Sequence, residues 1–212
     1  MHQFRRCNKI SHVAEKQGLR ERKKQRTRQA LIEAAVRLFA DKGYDQVTVA
    51  EIADAAEVSP RTFFLHFQTK EDVLLANADV RVDLALQTIA ERGPGERLPE
   101  LLTRAMEQMI ADTWDHDLAD GLAVLRARLA ASVPALQARL LQRYLTAQAE
   151  LARALQRAFP DRLDTITASA LVGAMVGAVS ASALTALQRG DGPDEVRDAM
   201  RRALALVARG VG

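Results

Sequence analysis

Six of the nine residues from Arg20 to Arg28 are basic, in the order RERKKQRTR. The apolar residues that follow, Leu31, Ala34, Ala35, Leu38 and Phe39, are spaced as one helix face. They predict a helix from Leu19 to Lys42, closed by Gly43. Cations at a helix N-terminus oppose the macrodipole, a cost that an external anion would offset. The wider charge distribution agrees. Residues 1–70 carry 14 Lys/Arg against 8 Asp/Glu and hold all six lysines, whereas residues 71–212 carry 16 against 19. A basic end on a mildly acidic body fits either a polyanion partner or a solubilising tail.

Other chemistry is poorly supplied. The single cysteine, Cys7, excludes an intrachain disulfide framework. The four histidines, His2, His12, His66 and His116, lack metal-ligand spacing. The run Trp114–Asp115–His116–Asp117 reads as a loop at a helix break. No nucleophile has an apparent base, and no glycine-rich loop is set to cradle phosphate. The expectation is therefore no enzyme, no metal and no cofactor. The first residues lack the apolar core of a secretory signal, so the expected location is cytoplasmic.

The remaining patterns are helical. The chain has 212 residues, 48% of them apolar and only 4% aromatic, and no strand-like alternation interrupts it. The expected fold is all-α with about nine helices. Residues 1–18 are expected to form a flexible basic arm, 19–68 a helix-turn-helix domain, and 69–212 a helical bundle. Within 19–68, Thr48 and Glu51 have capping-box spacing, and Ser59-Pro60 has the form of an N-cap followed by the first helical position. Two short helices separated by Ala56, Glu57 and Val58 make the helix-turn-helix unit. Phe63 and Phe67 anchor the second helix inward. Arg61, Thr62 and Leu65 project from its other side, with Phe64 and His66 on the flanks. Thr69 to Asp72 should cap a further helix reaching Arg92.

The stretch Thr165 to Gln188 holds 24 residues without a charge. Its many Ala, Ser, Thr and Gly residues argue against a membrane span and for a helix buried on most of its surface. Ser169, Gly173, Gly177 and Ala181 recur every fourth residue and form a small-residue seam. The seam is assigned to a dimer interface, with intrachain packing as the alternative.

From Arg26 to Leu75 the chain resembles the TetR family of bacterial transcriptional regulators. The matching residues are the helix Leu31–Phe39 ending at Gly43, then Thr48, Ile52-Ala53, Ala56, Val58-Ser59, Thr62, Phe63-Phe64, His66-Phe67 and Lys70-Glu71. Pro134-Ala135-Leu136 and the closing helix pair resemble an actinobacterial, mycofactocin-type subgroup. Two departures stand out. Glu57 occupies a turn position where the family usually has Gly, and Phe64 replaces a common Tyr. If Glu57 takes a positive φ, it is strained by roughly 1 kcal/mol.

The resemblance implies a homodimer reading a pseudo-palindromic operator in double-stranded DNA and released by a small, largely apolar effector. A constitutive or architectural DNA-binding protein is the alternative. On this footing Arg61 is assigned to a guanine edge or a phosphate, and Thr62 and Leu65 to thymine methyl groups. Phe64 and His66 stand beside them. Thr48 and Lys70, at helix N-termini, are assigned to phosphate, as are Lys23, Lys24, Arg26 and Arg28. In the second domain Met106, Met109, Trp114, Arg126, Tyr144, Phe159 and Met175 are candidates for an effector pocket, although each also fits an ordinary core. Arg126 or Arg128 is placed either to meet an anionic ligand head or to form a surface ion pair.

Overall fold

The computed structural model describes the backbone of residues 4–118, 121–130 and 132–210, and the side chains from residue 19 onward within those bounds apart from Glu21. The described residues form ten α-helices and one π-helical segment. The chain divides between Val73 and Leu74 into two compact units.

The first unit contains α1 (Phe4–Lys42), α2 (Val49–Ala55), α3 (Pro60–His66) and most of α4 (Lys70–Leu74). Helix α1 corrects the expected arm, because it starts at Phe4 rather than Leu19. Residues 4–18 lack an apolar face but contain no proline, and Gly18 alone does not break the helix. The correction has a consequence for Arg20–Arg28. These residues lie well inside the helix, where the macrodipole no longer acts. Leu31, Ala34, Ala35 and Phe39 are buried as their spacing requires, together with Ile32, Ile52, Ala53, Phe63 and Phe67. Gly43, at φ 82°, ends α1, and its N–H donates to the Phe39 carbonyl at 3.2 Å.

The second unit contains α5 (Ala78–Ala90), α6 (Leu98–Asp112), a π-helical segment (Thr113–Leu118), α7 (Leu122–Ala130), α8 (Pro134–Ala158), α9 (Thr165–Arg189) and α10 (Pro193–Ala208). The helix expected from Thr69 to Arg92 is thus two helices. The chain turns through buried Leu75 and Ala76, and the Asn77 side chain is drawn to Asp117. The loop expected at Trp114–Asp117 is the π-helical segment. Its wider turn carries Asp117 to a fully buried position.

Helix α9 packs against α8 and α10, but it is not buried on most of its surface. It is long and apolar enough to cross a membrane, yet only 17% of its most apolar stretch is buried. The missing cover could not be read from an uncharged sequence, because apolar composition does not say which chain supplies the neighbour.

Candidate nucleic-acid interface and cavities

Helices α2 and α3 are set by local chemistry. Thr48 caps α2: its Oγ accepts the Glu51 N–H at 3.2 Å, and its own N–H donates to Glu51 Oε2 at 2.9 Å. Lys42 Nζ donates to the other Glu51 oxygen at 2.8 Å and ties the end of α1 to α2. Led by the Lys42 hydrogen bond, these donors pull the Glu51 carboxyl down to about 2. Ser59 caps α3 by accepting the Thr62 N–H at 3.1 Å, with Pro60 at the first helical position. Between the helices Glu57 sits at φ 55°, the left-handed conformation that the sequence left conditional where the related family usually has Gly. The Val58 N–H donates to the Ala53 carbonyl at 2.9 Å and closes the turn. Ala53 is fully buried, as a close helix approach requires.

This packing aims one face of α3 outward. Phe63 and Phe67 are inside, whereas Leu65 is 73% exposed and Phe64 57% exposed. Arg61 is exposed, and its guanidinium has no partner among the described residues. Lys23 and Arg26, also exposed, are likewise uncommitted among the described residues, and Lys24 is exposed on the same helix. Thr62 shares a 3.0 Å hydroxyl contact with Ser59.

Other expected contacts are engaged within the protein. Arg28 lies over the Phe67 ring at 5.1 Å. Burial, followed by the charges of Arg28 and Lys24, pushes the His66 pKa below its ordinary value, so its imidazole is neutral at pH 7. Lys70 Nζ donates to the carbonyls of Tyr44 and Val47 at 2.9 and 3.2 Å and lies 4.0 Å above the Tyr44 ring. The Tyr44 hydroxyl in turn donates to Glu71. The Thr48 hydroxyl serves its own cap.

In the second unit, two cavities of about 340 and 470 Å3 lie beside α5, α6, α7, α8 and α9. Met106, Met109 and Arg126 line the first. Met109, Arg126 and Tyr144 line the second. The other three candidates lie elsewhere. Met175 and Phe159 are buried in the core, with Arg92 stacked 4.0 Å from the Phe159 ring. Trp114 lies under Arg197 at 4.0 Å. An apolar side chain in a sequence looks the same whether it lines a void or fills one, so these assignments could not be separated beforehand.

Asp117 was missed as a site residue. It accepts Asn77 Nδ2 on one oxygen at 2.9 Å. Its other oxygen accepts Arg81 Nη1 at 2.9 Å and Arg126 Nη2 at 2.7 Å. Burial alone would raise its pKa, but the two guanidiniums and the amide hold it below the ordinary value. The polar run from Asp115 to Asp117 was the available signal.

Gly173 and Gly177 face α8 of the same chain. A Cβ at either would meet Gln148 Nε2 at 3.5 Å or Tyr144 OH at 3.6 Å. Ser169 and Ala181, the other members of the seam, are exposed.

A two-helix reading head with an outward, uncommitted arginine defines a helix-turn-helix DNA-binding module on an all-helical body. Residues 31–76 match the family model for bacterial regulatory proteins of the tetR family. Over this segment the chain is similar to bacterial transcriptional regulators of the TetR family. It is 38% identical over 139 residues to the HTH-type transcriptional regulator TcmR of Streptomyces glaucescens, covering 64% of this chain and 62% of TcmR. It is 32% identical over 90 residues to the HTH-type transcriptional repressor AcnR of Corynebacterium diphtheriae, covering 42% and 43%. The matches thus span less than two thirds of the length of these curated relatives. Among solved structures, a TetR-family regulator from Mesorhizobium loti superimposes with a TM-score of 0.59 at 20% identity, over 88% of this chain and 97% of that one. The Thermus thermophilus repressor FadR, solved with lauroyl-CoA, gives 0.54 at 22% identity over 87% and 95%. These two likenesses establish the fold. The relatives do not support the narrower mycofactocin-type resemblance.

Proposed function

We propose that this chain is a cytoplasmic repressor that binds a pseudo-palindromic operator in double-stranded DNA as a homodimer. A small effector held in the second unit releases it. The observation that carries the DNA-binding part is the outward face of α3. A soluble protein gains nothing from presenting Arg61 and Leu65 together on an exposed helix, but a major groove offers guanine acceptors to one and thymine methyl groups to the other. Lys23, Lys24 and Arg26 add charge for phosphate.

Exposed apolar stripes support the dimer. On α8 they comprise Ala138, Leu141, Leu145 and Ala149, and on α9 Ile166, Ala170, Ala174 and Ala181. Ile166 is 80% exposed and Leu141 59%. Patches of this kind mark interaction surfaces, and a second copy of the chain covers them at both helices. The two cavities support an effector, since both volumes fall in the range of about 300–1,000 Å3 usual for small-molecule sites.

The test uses DNA flanking the protein's own gene. A retarded duplex containing an inverted repeat, released by a small molecule, is the expected result. Retention of that duplex in the presence of every compound tried would favour the constitutive reading instead.

A further inference from the structure

The two cavities share a wall made by Arg81, Met109, Arg126, Leu140 and Val176. Among the described residues, Arg81 and Arg126 are the only ionisable ones lining the smaller cavity. Its other walls are almost wholly aliphatic and thioether. The side chains of Arg81 and Arg126 are only 11% and 17% exposed.

Two guanidiniums and two carboxylates meet at this wall, with the hydrogen bonds shared unevenly. Both guanidiniums converge on one oxygen of Asp117. Asp112 is the second carboxylate of the cluster, ion-paired with Arg81 without a hydrogen bond. Its Oδ2 stands 3.8 Å from Arg81 Nη1 and accepts no hydrogen bond, while its Oδ1 lies 3.1 Å from His116 Nδ1. Arg81 commits only Nη1 to an acceptor. Arg126 commits Nη2 to Asp117 and Nη1 to the Leu74 carbonyl at 3.1 Å. Each retains guanidinium donors with no protein acceptor among the described residues. Neither arginine has a donor that is both buried and unpartnered, so the spare donors open to accessible space. A ligand oxygen bearing negative charge would form strong, charge-assisted bonds there.

On the reading that the second unit holds an effector, the geometry points to its chemical class. The effector is an amphipathic organic acid. Its acidic group binds Arg81 and Arg126, and its apolar body lies against Met106, Val179 and Leu187.

The test measures binding directly, apart from any effect on DNA. The probe is 8-anilinonaphthalene-1-sulfonate, whose neutral counterpart N-phenyl-1-naphthylamine has the same apolar body without the acidic group. Fluorescence titration of the wild-type protein should show at least tenfold tighter binding of the sulfonate. Dodecanoic acid should displace it at concentrations at which methyl dodecanoate does not. Arg126→Met leaves Arg81 and Asp117 paired one to one and should reduce the sulfonate preference at least fivefold. Arg128→Met removes the same charge from an exposed position on the same helix and should leave the preference unchanged. Equal displacement by acid and ester overturns the inference on wild-type protein alone, whether or not a variant folds. An equal loss of preference in both variants also overturns it, because bulk charge would then explain the effect. Acid-selective binding without release of DNA would refute the regulatory reading and leave this inference standing.

Discussion

Lys70 Nζ caps the end of the α1–α2 connection by donating to the Tyr44 carbonyl at 2.9 Å while lying over that residue's ring. The same ammonium donates to Val47. Its principal partners are therefore in its own protein, although its sequence position suggested a phosphate.

Lys70→Ala should accordingly act on stability first. Loss of two charge-assisted hydrogen bonds and a cation–π contact should cost about 1–3 kcal/mol. Thermal unfolding of wild type and variant checks this. Unchanged stability with uniformly weaker DNA binding would return Lys70 to the phosphate backbone.

Glu57→Gly should stabilise the protein. The residue is exposed, its side chain has no hydrogen bond or ion pair to lose among the described residues, and it holds φ at 55°. Relief of the left-handed penalty of roughly 1–2 kcal/mol outweighs the added freedom of the unfolded chain, for a net gain of about 0.5–1 kcal/mol. Denaturant unfolding with an unchanged slope would measure it, and a lower midpoint would show that the turn is not strained.

The reading head was legible because its determinants are local. Thr48 finds Glu51 and Ser59 finds Thr62 within one turn of helix, and Phe63 and Phe67 share a face. The positive φ of Glu57 was legible only as a condition, from the Gly usual at that position in the resembling family. The Asp117 cluster was not legible. Its partners lie 40, 36 and 9 residues away at Asn77, Arg81 and Arg126, and only tertiary packing brings them together. A π-helical turn also shifts the register, so a regular period would misplace Asp117. The exposure of α9 was hidden for a different reason: lack of charge identifies an apolar surface but not what covers it.

The glycines of α9 allow a graded test. Gly173→Ala/Gly177→Ala places each Cβ at ordinary contact distance, 3.5 and 3.6 Å from Gln148 and Tyr144, and gains helix propensity. This pair should be neutral or stabilising. Gly173→Leu/Gly177→Leu should push α8 and α9 apart at a cost of about 1–3 kcal/mol per site. Melting curves for both pairs decide it, and a tolerated leucine pair would mean that the seam is not closely packed.

Arg61→Ala should relax specificity. Loss of a bidentate guanine contact costs about 1–3 kcal/mol at one operator position and little at the others. Binding to a set of single-base operator variants reads this out. Equal weakening of every sequence would make Arg61 a phosphate contact.

The most direct test of DNA reading by a two-headed dimer is the affinity for one operator with and without five base pairs inserted at its centre, at fixed salt. Two α3 helices must sit about 34–36 Å apart to enter successive major grooves on one face of the duplex. The insertion turns one half-site to the opposite face. Binding should then fall to the nonspecific level, about 10³-fold or more below the intact operator. Equal affinity for the two duplexes would contradict paired reading by α3.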